Sequence, residues 1–112
     1  MQGRDAAGAG AILADARALL QAGVGMLVVE CVPATLTEQI SAVMQVPVIG
    51  IGAGAACDGQ VLVLYDMLGI TAGQLPRFVK DFLQDNGNVH AAVAAYVSAV
   101  KDGSYPAAEH SY

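Results

Sequence analysis

One short apolar run constrains this chain more than any other stretch: Gly25-Met26-Leu27-Val28-Val29-Glu30-Cys31-Val32-Pro33. A Val-rich run of this length, with Gly before it and Pro after it, reads as a buried strand. Glu30 falls where that strand ends. A carboxylate at the mouth of a buried strand is costly unless it is paired, solvated or useful. In parallel α/β barrels the C-terminal ends of the strands are where catalytic side chains project. Position alone leaves two readings open, a catalytic carboxylate and a Glu that merely caps a strand.

The rest of the chain alternates around this run. Ile12, Leu13, Ala16, Leu19 and Leu20 recur at helical spacing between Asp5 and Gly23, and Gly23 supplies a stop. Thr35-Leu36-Thr37-Glu38 has the capping-box pattern and predicts a helix burying Leu36, Ile40, Val43 and Met44, ended by Pro47. Val48 to Gly52 reads as a second strand and Val61 to Asp66 as a third. Pro76 fits a first helical position, with Phe78, Val79, Phe82 and Leu83 on one face. A last helix is expected from Asn88 to Lys101, with Val89, Val93, Tyr96, Val97 and Val100 inward. Gln2-Gly3-Arg4 offers the stump of a fourth strand, and Tyr105 to Tyr112 reads as a polar, turn-rich tail.

Strands alternating with helices at these spacings imply parallel βαβ units. A full (β/α)₈ barrel runs to roughly 250 residues. At 112 residues the chain is about half of one, or a very small doubly wound sheet. No internal repeat or linker divides it, so residues 1–112 are taken together.

Composition narrows the functional classes. The chain is 55% hydrophobic and 13% charged, too apolar for disorder. No apolar run reaches the roughly 20 residues of a membrane helix, and the polar start does not read as a signal peptide. The net charge is −5 and the five Lys and Arg are scattered, which leaves no basic footprint for nucleic acid. Cys31 and Cys57 do not make a disulfide framework, so a reducing cytoplasm is expected. His90 and His110 lack metal spacing and read as surface residues.

Gly50, Gly52 and Ala55 fit the relaxed dinucleotide fingerprint after a strand. A helix should open inside that motif, yet Gly54, Cys57-Asp58-Gly59 and a strand-like run follow. The commoner reading is a turn in which small residues let backbone approach another element or a ligand.

Taken together, Gln2-Gly3-Arg4, Leu27 to Pro33, Pro47 to Gly54, Asp58-Gly59-Gln60-Val61-Leu62-Val63 with Asp66, Pro76-Arg77-Phe78 and Glu109-His110-Ser111-Tyr112 resemble the C-terminal half of the ketopantoate hydroxymethyltransferase family. The resemblance covers essentially the whole chain, with the motifs in family order. It implies the C-terminal half of a (β/α)₈ TIM barrel of the phosphoenolpyruvate/pyruvate type. It also implies a cytoplasmic, Mg²⁺-dependent transferase of pantothenate synthesis, usually a decamer. The reaction moves a one-carbon unit from 5,10-methylenetetrahydrofolate to 3-methyl-2-oxobutanoate.

The resemblance places the family's general base on Glu30. The family's Mg²⁺-binding carboxylates and substrate-binding lysine belong to its N-terminal half, so no metal ligand is expected in this chain. Tyr65 and Gln74 stand where the family often has His, and Ala55-Ala56 fill a variable spot. Met1 falls within the strand that precedes Gln2-Gly3-Arg4 in the family, which implies a partial chain. Two functions follow as expectations: the catalytic-base half of a transferase, or a non-catalytic half-barrel that serves folding or assembly. Unpaired strand edges and a low charge density favour a homo-oligomer, or pairing with an N-terminal half.

Overall fold

The computed structural model describes residues Met1–Tyr112. In chain order it contains α1 (Ala6–Gln21), β1 (Leu27–Glu30), α2 (Ala34–Val43), β2 (Val48–Ile51), β3 (Gly59–Gln60), α3 (Leu64–Met67), α4 (Phe82–Asn86), α5 (Val89–Asp102) and a 3₁₀ turn at Ala108–His110. The three strands form one parallel sheet in the order β1-β2-β3. The chain is therefore α/β with parallel pairing.

The register puts Leu27 beside Val48, Val28 beside Ile49, Val29 beside Gly50 and Glu30 beside Ile51. Paired residues in neighbouring strands share a face, and successive residues alternate. Val29 and Val48 therefore turn to the same side, where α1 and α2 cover them. They pack with Ala16, Val32, Leu36, Ile40, Met44 and Ala53. Val48 and Ile40 are 0% and 1% exposed, and each such side chain contributes about 1.5–3 kcal/mol on burial. On the opposite face Val28 is 58% exposed. Only Ile51, at the C-terminal end of that face, is covered, in a second cluster with Leu62, Met67, Leu68, Phe78, Phe82, Ala92 and Tyr105. No helix is long and apolar enough to cross a membrane.

The structure corrects several expected elements. The third strand is Gly59–Gln60, not Val61 to Asp66. Its template runs out: after Ile51, Gly52 takes φ 60° and β2 turns away. Beyond one bond from Val61 N–H to Gly50 O (2.9 Å), the segment has no strand to pair with, and Leu64–Met67 coils into a helical turn. α2 starts at Ala34, so Thr35 lies inside the helix and no side chain caps its start. The Pro33 carbonyl accepts from Leu36 and Thr37 instead. α2 ends at Val43, where Met44 turns extended, well before Pro47.

Pro76 closes a turn, accepting from Val79 N–H (3.0 Å), and α4 opens only at Phe82. Asp81 provides the cap through bonds from Leu83 and Gln84 N–H at 2.8 and 3.1 Å. α5 turns Ala92 inward with Tyr96, Ala99 and Val100 flanking it, so Val89, Val93 and Val97 face solvent. The small Ala92 side chain lets α5 lie close to its neighbours, which decides the face. Gln2-Gly3-Arg4 is not a strand; Gln2 makes a single bond to β1's end, N–H to Cys31 O at 3.2 Å.

The tail is more built than its composition suggests. Tyr105 is buried, donates its hydroxyl to Phe78 O (2.6 Å), and meets Phe82 and Tyr96 edge-on. His110 is half-buried rather than at the surface, with Nδ1 accepting from Ala107 N–H (3.1 Å). His90 is exposed. The chain then returns to α2, where Ala34 N–H donates to Tyr112 O at 2.9 Å.

Burial pushes four acidic protons upward: the Cys31 and Cys57 thiols and the Tyr96 and Tyr105 hydroxyls. The folded chain holds these protons where the unfolded chain releases them. Stability is thus full below the unfolded pKa values and falls as pH climbs through the window above them. The urea midpoint is expected to hold steady from pH 7 to about 8, then decline from about pH 8.5 as unfolded thiols ionise. Replacing both cysteines by Ser should delay the decline to about pH 10, where tyrosines ionise. Urea titrations across this range check both statements.

Candidate functional site

Glu30 is the last residue of β1, extended and exposed at the C-terminal end of the parallel sheet. Its backbone is held out there by its neighbour. Cys31 has φ 51°, the one non-glycine residue in the chain with positive φ. That region costs a side-chain-bearing residue about 1–2 kcal/mol. The turn has a structural return. Cys31 N–H still donates to Ile51 O (2.9 Å), continuing the ladder, while its carbonyl swings the other way and accepts from Gln2 N–H (3.2 Å). β1 stops immediately after Glu30, and buried Val32 with Pro33 leads the chain into α2.

The surroundings of Glu30 are partly charged and partly apolar. A groove of about 460 Å³ runs beside it, lined by Met1, Gln2, Ile12, Leu19, Val28 and Glu30 among others. Cys31 reports the local field. Burial raises its thiol pKa most, and the Glu30 charge raises it further.

The glycine run beside this corner packs protein rather than a nucleotide. A Cβ at Gly52 would strike the Phe78 ring. A Cβ at Gly54 would lie 2.6 Å from Ala34 Cβ, and one at Gly50 would lie 2.6 Å from Cys57 Sγ. No helix opens after β2; the chain goes on to β3. The dinucleotide fingerprint is thus a turn whose small residues admit Phe78, α2 and Cys57 at close range.

No three His, Cys, Asp or Glu side chains converge to hold a metal ion. Tyr65 is exposed on α3 and Gln74 on the following loop. Asp66, from the same segment, accepts a bond from Thr71 Oγ1 (2.6 Å).

The comparison with protein families matches residues 1–108 to the ketopantoate hydroxymethyltransferase model. The chain belongs to the ketopantoate hydroxymethyltransferase family. It is 55% identical over 112 residues to the 3-methyl-2-oxobutanoate hydroxymethyltransferase of Burkholderia multivorans, covering all of this chain and 41% of that protein. The Sodalis glossinidius protein of the same name is 56% identical over 112 residues, covering all of this chain and 43% of that protein. A second enzyme of that name in Pseudomonas aeruginosa is 58% identical over 113 residues, with 100% and 42% covered. The chain thus spans about two fifths of the length of the curated relatives it matches.

Two features of the corner had no signal in the sequence: the left-handed Cys31, and the Tyr112 carbonyl at the start of α2. The field at Cys31 makes the Glu30 placement testable without turnover. Alkylation of Cys31 at pH 8 is expected to be slower than that of a free thiol, because less of it is thiolate. Glu30→Gln removes a negative charge, lowers the thiol pKa and should speed alkylation several-fold. Glu38→Gln, on the exposed side of α2, should leave it unchanged. Equal rates in all three proteins would mean that Glu30 points away from Cys31.

Proposed function

We propose that this chain is the C-terminal, base-bearing part of a (β/α)₈ barrel that makes ketopantoate. The reaction moves a hydroxymethyl group from 5,10-methylenetetrahydrofolate to 3-methyl-2-oxobutanoate. The observation that carries the reading is Glu30, an exposed carboxylate held at the C-terminal end of a parallel strand by the Cys31 turn. The names of the relatives, identical at more than half of the aligned positions, supply the substrate class.

The chemistry asks for what Glu30 offers. The keto-acid must lose a proton from the carbon next to its ketone before that carbon attacks the folate-borne methylene. A carboxylate takes that proton well only if its pKa lies near the working pH. Desolvation raises a carboxylate pKa. In this chain Glu30 is exposed, so the covering surface must come from the rest of the barrel. On this reading residues 1–112 supply three parallel strands, and the remaining length seen in the relatives supplies the others.

A second reading is a half-barrel that acts only in folding or assembly. The exposed apolar side chains of Val28, Val61 and Val63, which a covering partner would bury, favour it.

An assay of ketopantoate formation separates the two. The chain alone is expected to show no detectable turnover, even with Mg²⁺. Adding the separately expressed N-terminal three fifths of the Burkholderia multivorans relative should restore turnover. Glu30→Gln in that mixture should then lower kcat by about 10²–10⁴-fold, the usual worth of a general base, and leave assembly intact. Turnover by the chain alone, or a loss of only a few-fold on substitution, would overturn the assignment. No turnover in the mixture despite assembly would support the second reading.

A further inference from the structure

The turn in the tail is closed by a hydrogen bond whose acceptor is an imidazole. Ala108–His110 forms the 3₁₀ turn, and His110 Nδ1 accepts from Ala107 N–H at 3.1 Å. The Ala107 carbonyl is also taken, by His110 N–H and by Ser111 Oγ, both at 3.0 Å. His110 thus stands where a capping box places Glu or Gln. A Glu or Gln there accepts across the neutral pH range. An imidazole accepts only while it is neutral; once protonated, both ring nitrogens are donors. Ala107 N–H would then face a second N–H.

What the turn holds lies next to the candidate site. Tyr112 O accepts from Ala34 N–H (2.9 Å), at the start of α2 and three residues after Cys31. That helix start has no side-chain cap. A Cβ at Gly54 would lie 3.8 Å from Ser111 Oγ, so the turn also rests on the loop after β2. On its other side the His110 ring lies against Tyr105, with centroids 5.1 Å apart. Tyr105 is buried and fixed by its bond to Phe78 O. The base of the tail is therefore anchored, and residues 107–112 are the part a lost cap can free.

The other ionisable groups of these elements are few. Tyr105 and Tyr96 are held protonated by burial, and burial likewise pushes up the Cys57 thiol beyond Gly54. Glu109 lies on the turn itself, Asp66 carries charge felt at Tyr105, Lys101 and Asp102 precede the tail, Glu38 lies on α2 and Asp58 follows the loop. Carboxylates and amines are side-chain types that ordinarily change charge outside pH 5 to 8, the range of imidazoles. His90, the other imidazole, is exposed at the start of α5.

We propose that His110 is a pH-sensitive latch. Neutral, it closes the tail turn onto α2 and the Gly54 loop; protonated, it releases residues 107–112. The closed form binds one proton fewer, so falling pH opens it. The bearing of the latch on Glu30 rests on the function proposed above. The latch itself does not, and its test measures no turnover.

NMR of the full chain between pH 7.5 and 5.5 is the test. At pH 7.5 the imidazole ¹⁵N shifts should report the Nε2–H tautomer, leaving Nδ1 free to accept. As the ring takes its proton, the Ala107 and Ala34 amide shifts should move with it. Backbone order parameters over residues 108–112 should fall from about 0.85 to below about 0.6. His110→Asn keeps a neutral acceptor near the Nδ1 position, and its tail should stay ordered at both pH values. His90→Asn should respond as the unsubstituted chain does. An Nδ1–H tautomer at pH 7.5 overturns the proposal, and so does a tail equally ordered at pH 5.5. A pH response that survives in His110→Asn also overturns it, by assigning the response to another group. Should that variant fail to fold, the tautomer and the relaxation of the unsubstituted chain still decide.

Discussion

Cys31 gives its N–H to Ile51 and turns its carbonyl back to Gln2, and much of the molecule depends on that reversal. A residue continuing the strand would send both groups to β2. With φ 51°, Cys31 divides them between two neighbours and ends β1 at Glu30. α2 can then start three residues later at Ala34, and its Leu36, Thr37 and Ile40 reach the sheet to seal Val29 and Val48. The strain at one residue is small beside the burial it permits, since Ile40 and Val48 each contribute about 1.5–3 kcal/mol.

Two clusters share the work of burial, and the end of β2 joins them. Val48 belongs to the first and Ile51 to the second. Between α2 and the tail a further tie runs through the backbone, Ala34 N–H to Tyr112 O. α2 has no side chain to cap its first turn, so this carbonyl satisfies one of the free N–H groups a helix start leaves. The aromatic set of Phe82, Tyr96 and Tyr105 holds the tail's base, with ring centroids 5.5–5.8 Å apart. The residues just after Glu30 are thus braced from three sides: by β2, by Gln2 and by the tail.

The sequence made some of this legible and hid the rest for physical reasons. β1 and β2 were readable because both are short Val-rich runs bounded by Gly or Pro, and their pattern is local. α1 was readable from its spacing, although Leu19 turns out to border the groove. Val61 to Asp66 misled because β-propensity describes a surface to pack against, and β2 supplies none beyond Gly52. The valines of α5 misled because Ala92, which has no bulk to signal burial, takes the inner position. Glu30 was legible as a strand-end carboxylate. The left-handed turn that holds it was not, since Cys is not a residue that favours positive φ.

Only 21 of 112 residues are buried, and the uncovered face of the sheet carries Val28 while Val61 and Val63 stand exposed beyond β3. Small chains bury a smaller share of their surface and are correspondingly marginal, so these side chains represent stabilisation the chain does not collect alone. The same uncovered region contains Glu30. An apolar cover over a carboxylate disfavours its charged form and makes it a stronger base. In a completed barrel, covering Val28 and desolvating Glu30 would be consequences of one event. On the proposed reading, the surface that completes the fold is also the surface that tunes the base.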